Sequence, residues 1–386
     1  MLLIPRRYHY FSHELNREVK ELYWNTGLFN LAINLAYIFE PIYLITLGYS
    51  VVDIMYFYLM VYVAYALFVI PITKVTSIIG YKHAMLYAAI FQITYWLTLY
   101  GIESEPLLFY VAPILFAFQK SLFWPPYNAD VALNNVKIQR GREVGVLFSV
   151  IEFAAILGPI LGGFISYQFG FLILFVCAAT LTVISVYPLF LSPEIYTRHE
   201  FRFKNFWRIF RLYPRNFFGY WGYAEDLMLM TLWPIFIFTI VPKFSSIGII
   251  VTFASVIAVM LMLYLGRILD RYQKLNLLPT AAVFYGLTWV FRIFANSFSG
   301  VVIFDVLTRV GKAFIGVPLL HRTFQIAGAR GPDFAIAYGV FFEFSLAIGK
   351  VVTALLAIWI LTSNGSIIEV FIAVGALTML YSLIKK

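Results

Sequence analysis

Charge is what this chain has least of. Only 12% of its 386 residues are Asp, Glu, Lys or Arg, while 62% are hydrophobic. A soluble domain carries roughly 25% charged residues, so this chain cannot cover itself with polar surface. Its single cysteine, Cys177, excludes disulfides and thiolate metal sites within the chain. The five histidines (His9, His13, His83, His199, His321) form no HExxH-like cluster. Hydrolytic, phosphate-cradling and dinucleotide-binding motifs are missing as well. No metal, cofactor or enzymatic reaction is therefore expected. A secretory leader is not apparent either, because MLLIPRRYHYFSHELNREVKE is polar and the first apolar run is of full length.

Long apolar runs fill the rest. They are about twenty residues each, the length that crosses a bilayer as helix. Twelve spans are predicted, near 24–47, 51–73, 82–101, 107–129, 143–166, 171–191, 217–241, 247–266, 277–297, 300–320, 333–361 and 367–384. With the N-terminus cytoplasmic, the loop bases from Arg6 and Arg7 to Lys385 and Lys386 gather on one side, and Lys243 alone falls on the other. That bias follows the positive-inside rule and supports the span count. The net charge of +9 is thus a topology signal, and no nucleic-acid partner is expected. The loop EIYTRHEFRFKNFWRIFRLYPRN sets Phe203, Phe206, Trp207 and Phe210 against Arg202, Lys204, Arg208 and Arg211 at helical spacing. It reads as an interfacial helix on an anionic leaflet or as a basic linker.

An internal repeat sets the fold. Lys120 and Pro126 recur as Lys312 and Pro318, and Glu152-Phe153 with Gly158 recur as Glu343-Phe344 with Gly349. Pro41 matches Pro234 at an offset of 193, which falls to 192 at Lys120 and 191 at Glu152. Six spans per half is even, so the halves share one orientation about an axis along the membrane normal. The expected architecture is an all-α membrane protein. Its twelve transmembrane helices form two pseudo-symmetric six-helix bundles, 24–191 and 217–384, with a cytoplasmic segment 1–23 and a basic amphipathic linker 192–216.

Two motifs carry a family resemblance. The stretch Gly266-Arg267-Ile268-Leu269-Asp270-Arg271-Tyr272-Gln273-Lys274 follows GxLaDRxGRR, while its first-half copy, Thr73 to Lys82, keeps only Gly80 and Lys82. Gly145, Ala154, Gly158, Pro159, Gly162 and Gly163 follow Gx8Gx3GPx2GG with one Gly→Ala change. On these motifs the chain resembles the major facilitator superfamily over nearly its whole length. The resemblance implies a cytoplasmic latch at Gly266, Asp270 and Arg271, a central cavity lined by spans one, four, seven and ten, and, from the span-five motif, proton-coupled export. From the residues alone, Ala154, Gly158 and Gly162 form a small-residue stripe for close helix approach. Pro159 frees the carbonyl near residue 155 and bends the helix. That suits a rocking gate or plain packing equally.

Charges inside apolar helices are costly and should pair, protonate or line water. The acids are Glu40, Glu152, Glu225, Asp226, Asp305 and Glu343; the bases are Lys120, Arg292, Arg309, Lys312 and Lys350. Lys120 and Glu152 lie roughly 13–15 Å deep at 1.5 Å per residue, and Lys312 and Glu343 hold equivalent places. Two Lys–Glu pairs are therefore predicted, and Arg292 with Asp305 as a third, structural pair. Asp305, Arg309 and Lys312 share one face of span ten. Asn30 and Asn34 share a face of span one, where Glu40 precedes Pro41. Glu225 and Asp226 read as a buried carboxyl pair or as a solvated pair near the end of span seven. Trp124 and Tyr127 follow Lys120 on a cavity span.

The predicted function is secondary transport of a small-molecule substrate across the plasma (inner) membrane, with a proton as coupling ion and export by antiport. Uptake or exchange of an organic anion is the alternative within transport, and a non-transporting sensor or scaffold the alternative outside it. A monomer in a lipid bilayer, with both termini cytoplasmic, completes the expectation.

Overall fold

The computed structural model describes residues 17–134, 140–191, 201–269 and 278–384. Asp270 and Arg271 lie outside the described residues, and so do the surroundings of Gly145 and Gly266. The first half contains α1 (Arg17–Ala36), α2 (Phe39–Thr46), α3 (Val51–Ile79), α4 (Tyr81–Gly101), α5 (Leu108–Asn134) and α6 (Arg140–Val186). A short helix α7 (Phe203–Leu212) leads to α8 (Pro214–Tyr220), α9 (Glu225–Met230), α10 (Leu232–Ile240) and α11 (Phe244–Leu269). The chain ends with α12 (Leu278–Val290), α13 (Phe298–Gly328), α14 (Pro332–Thr362) and α15 (Ile367–Leu377). No strand occurs among the described residues.

These helices group into twelve membrane passes. α6 supplies two, because Gly170 interrupts it at φ 80° and ψ 176°, a backbone conformation that glycine adopts without steric cost. Spans one and seven are broken at equivalent points. Pro41 has no N–H for the carbonyl of Tyr37, and α1 ends just before; Pro234 likewise cannot bond the carbonyl of Met230, and α9 ends there. Span seven is broken twice, with the 3-10 turn Trp221–Ala224 between α8 and α9.

The halves meet along two seams, α3 against α14 and α6 against α11. They also touch on both sides of the membrane centre. On the far side, opposite the start of α1, α2 rests on α10; towards the near side α5 rests on α13 and α14. Span five reaches two neighbours with its small residues. Gly158 and Gly162 face Asn34 and Leu35 of α1, whereas Gly163 meets Gly248 of α11 backbone to backbone. Thr252 of α11 donates to the Ile156 carbonyl at 2.8 Å, one residue from the carbonyl that Pro159 frees. A Cβ at Gly162 would fall on the Leu35 carbonyl oxygen. Gly162→Ala is accordingly expected to destabilise the fold by about 1–3 kcal/mol, read as a lower thermal midpoint in detergent.

The basic loop forms a helix, α7, whose Phe206 and Ile209 are buried while Lys204, Arg208 and Arg211 face outward. Phe206 packs edge-on against Phe344 of α14 at 5.6 Å. Phe203 and Trp207 stay half exposed, so one apolar edge holds the helix to the second half and the other is left facing outward.

Candidate functional site

The centre of the molecule is built around one carboxylate shared by two lysines. Asp226, in the middle of the broken span Pro214–Ile240, accepts from Lys312 of α13 at 2.5 Å through Oδ1. It accepts from Lys350 of α14 at 3.0 Å through Oδ2. Glu225 beside it is fully buried. It lies 3.7 Å from the Lys312 ammonium and accepts from the Tyr381 hydroxyl at 3.2 Å. Lys312 and Lys350 each stand near the middle of a long helix, so all four charges sit at about one depth. Two acids and two bases balance there, which is what makes burial of such charges tolerable.

The first half contributes aromatic faces and one acid. The Tyr62 hydroxyl of α3 is 3.3 Å from the Lys350 ammonium, and its ring lies 4.8 Å below it. The same ring lies 5.7 Å from the ammonium of Lys120, which also sits 4.3 Å over Phe116. Glu152 of α6 is half buried. Arg309 donates to Asp305 one turn before it at 2.8 Å, and Asp305 also accepts from the Trp233 indole at 2.8 Å.

Two further carboxylates flank this centre, each held by neutral donors. Glu343 accepts from the Tyr65 hydroxyl at 2.8 Å and from the Asn128 amide at 2.6 Å, so it ties α14 to α3 and α5 across the halves. Glu40, within the first half, accepts from Tyr95 and from the Trp96 indole, both at 2.8 Å.

None of the three expected ion pairs forms, and their members find other partners. Lys120 rests on arene faces, not on Glu152. Lys312 holds Asp226 and Glu225, while Glu343 is held by Tyr65 and Asn128. Arg292 is stacked between Trp233 and Trp289, 3.9 Å from each ring, and Asp305 is bonded to Arg309. Level depth does not set the direction of a side chain around a helix axis. Here the second half turns its lysines inward onto span seven, and Glu343 outward onto the first half. Glu225 and Asp226 are likewise not at the end of their span, because α8 adds nearly two turns before them.

The remaining candidates have local roles. Asn30 and Asn34 donate to the carbonyls of Thr26 and Asn30, one turn back in their own helix, each at 2.7 Å. Trp124 and Tyr127 join an aromatic cluster around Phe123, with Tyr127 stacked on it at 5.5 Å and Trp124 edge-on at 5.2 Å. Tyr62, Tyr65 and Asn128 did not stand out in the sequence. A signal existed, since Tyr58, Tyr62 and Tyr65 share one face of span two and all three are buried.

A family model described as Major Facilitator Superfamily matches residues 22–244, more than half of the chain. The chain belongs to the major facilitator superfamily. Among solved structures it is similar to the nucleoside transporter NupG, with a TM-score of 0.65 and 14% identity over 95% of this chain and 99% of that one. It is also similar to the E. coli fucose:proton symporter FucP, with a TM-score of 0.65 and 12% identity over 95% of this chain and 97% of that one. No curated protein sequence matches it. At such identity these likenesses concern the fold, which is that of a twelve-helix membrane transporter. In this superfamily chain, spans four, seven and ten supply Lys120, Asp226 and Lys312, and spans two and eleven add Tyr62 and Lys350 to the same polar centre.

Proposed function

We propose that this major facilitator chain carries a small solute by alternating access with a proton as coupling ion. The observation that carries the reading is Asp226, whose two oxygens hold lysines from two different helices beside a second, buried acid. Sites of this kind in transporters lie near mid-membrane, where broken helices meet, and span seven is broken on both sides of Glu225 and Asp226. In this reading Glu225 takes the proton, because its Oε2 has no hydrogen-bond partner and its one ammonium is 3.7 Å away. Protonation leaves Lys312 bound by Asp226 alone, which loosens α13 from span seven and opens the centre to solute. The resemblance of the span-five motif at Gly158, Pro159, Gly162 and Gly163 to that of proton-coupled efflux antiporters is what favours the export direction. A second reading is uptake or exchange of an organic anion. The Lys120 ammonium meets only arene faces and shares the Tyr62 ring with Lys350, so an anionic solute would complete it.

Counterflow in proteoliposomes against a solute panel, with and without a pH gradient, tests both readings. Accumulation driven by an acidic lumen supports proton antiport. Accumulation driven by an acidic exterior overturns the export direction, and gradient-independent exchange of anions alone favours the second reading. No counterflow with any solute removes the transport proposal. We place the chain in the plasma membrane as a monomer with both termini cytoplasmic. Thiol labelling of Arg208→Cys in intact cells should then require permeabilisation, and labelling from outside would reverse the topology.

A further inference from the structure

A second polar centre lies inside the second bundle, apart from the shared carboxylate. Arg292 is completely buried, and none of its three nitrogens has a hydrogen-bond partner among the described residues. Trp233 and Trp289 cover its two faces at 3.9 Å, with the Phe371 ring of α15 at 5.5 Å. Stacking between indoles stabilises the positive charge but leaves the in-plane N–H donors unsatisfied. A guanidinium carries five such donors and no acceptor. The Trp289 indole N–H beside it is also buried and makes no hydrogen bond of ordinary geometry among the described residues, with the Tyr285 hydroxyl as a weak contact. The Asp305 carboxylate, bonded to the same Trp233 indole that stacks on Arg292, is already engaged by Arg309 and Trp233. Buried donors left unmade are destabilising, the more so on a charged group.

The internal repeat shows what is missing. At the offset of 193, Trp96 corresponds to Trp289 and Glu40 to Trp233. In the first half the Trp96 indole donates to the Glu40 carboxylate. In the second half the acid is replaced by an indole, and a guanidinium has been added. The first half thus satisfies this indole with its own anion, whereas in the second half the one carboxylate close by, Asp305, is taken up by Trp233 and Arg309 and leaves the Arg292 donors unmet. We propose that the Arg292–Trp289 centre binds a small inorganic anion, for which chloride is the probe. Complete burial of Arg292 favours a monatomic or similarly small ion over an organic solute. Because Trp233 both stacks on Arg292 and donates to Asp305, the bound ion also steadies the Asp305–Arg309 pair that borders the central site.

The test is thermal unfolding of the full chain in detergent, titrated with sodium chloride against sodium gluconate at constant ionic strength. Chloride at concentration c is expected to raise the midpoint in step with ln(1 + c/Kd), by about 3 °C once c is well above Kd, and bromide to replace it. Trp289→Phe keeps the stacking and removes one donor, so the Kd fitted to this curve should rise several-fold. Arg292→Lys should abolish the chloride-specific shift. An equal shift in gluconate, or a chloride response unchanged in Trp289→Phe, overturns the proposal and leaves water as the occupant of the donors. Should Arg292→Lys fail to fold, the Trp289→Phe titration decides alone.

Discussion

Asp226→Asn is expected to abolish proton-driven accumulation and to destabilise the protein by about 3 kcal/mol. The change leaves Lys350 facing only the Tyr62 hydroxyl and Lys312 facing Glu225 at 3.7 Å. Removing one partner of a buried pair costs roughly 3–5 kcal/mol, because the other charge remains without compensation. The lower end applies, since the Asp226 side chain is 22% accessible and that of Lys312 27%. Adding Lys350→Met restores two charges of opposite sign, Glu225 and Lys312. The double variant should therefore regain most of the lost stability without regaining accumulation. Thermal unfolding in detergent and transport in a pH gradient separate the two effects. A single variant that unfolds at the wild-type temperature and still accumulates solute would remove Asp226 from the centre of the mechanism.

That prediction differs from what the sequence suggested, and the reason is geometric. The repeat placed Lys120, Glu152, Lys312 and Glu343 at equal depths, and the structure keeps them in the middle regions of their helices. Depth follows from counting residues along a helix, but pairing depends on rotation about its axis and on which helix stands opposite. Lys312 turns towards α9, a segment whose position depends on the breaks at Trp221–Ala224 and Thr231. Pro234 announced the second break, but nothing in the sequence marked the first. The membrane class, the matched prolines and the charges within apolar runs were legible because each contrasts with its surroundings. The aromatic partners had no such contrast. Tyr62, Tyr65, Trp233 and Trp289 stand among 39 Phe, 27 Tyr and 8 Trp, and only packing separates those that hold a charge from those that fill space.

Glu343→Ala should produce the second large effect, on the balance between conformations. Glu343 belongs to the second half, and both of its donors, Tyr65 and Asn128, belong to the first. It sits where Gly339, one turn earlier, faces the Pro125 carbonyl across the same contact between α14 and α5. Alternating access requires these helices to part on the near side, so the two hydrogen bonds exist only while that side is joined. Hydrogen bonds to a charged group contribute about 1.5–3 kcal/mol each. Losing both, with allowance for water reaching the freed donors, leaves a net of about 3 kcal/mol. That is over 100-fold in the ratio of joined to parted states. Glu343→Gln keeps one acceptor oxygen and should shift the ratio less. Spin labels at Ile78→Cys and Ala329→Cys, in a Cys177→Ser background, report the near-side separation by distance distribution. The long-distance population should grow in the order wild type, Glu343→Gln, Glu343→Ala. Identical distributions in all three would mean that the α3–α14 seam holds the halves without this carboxylate. Proton-driven accumulation then tells a latch from a carrier. A latch lets Glu343→Gln accumulate solute at an altered rate, because in the proposed mechanism the proton goes to Glu225, whereas a carrier leaves exchange intact and accumulation lost.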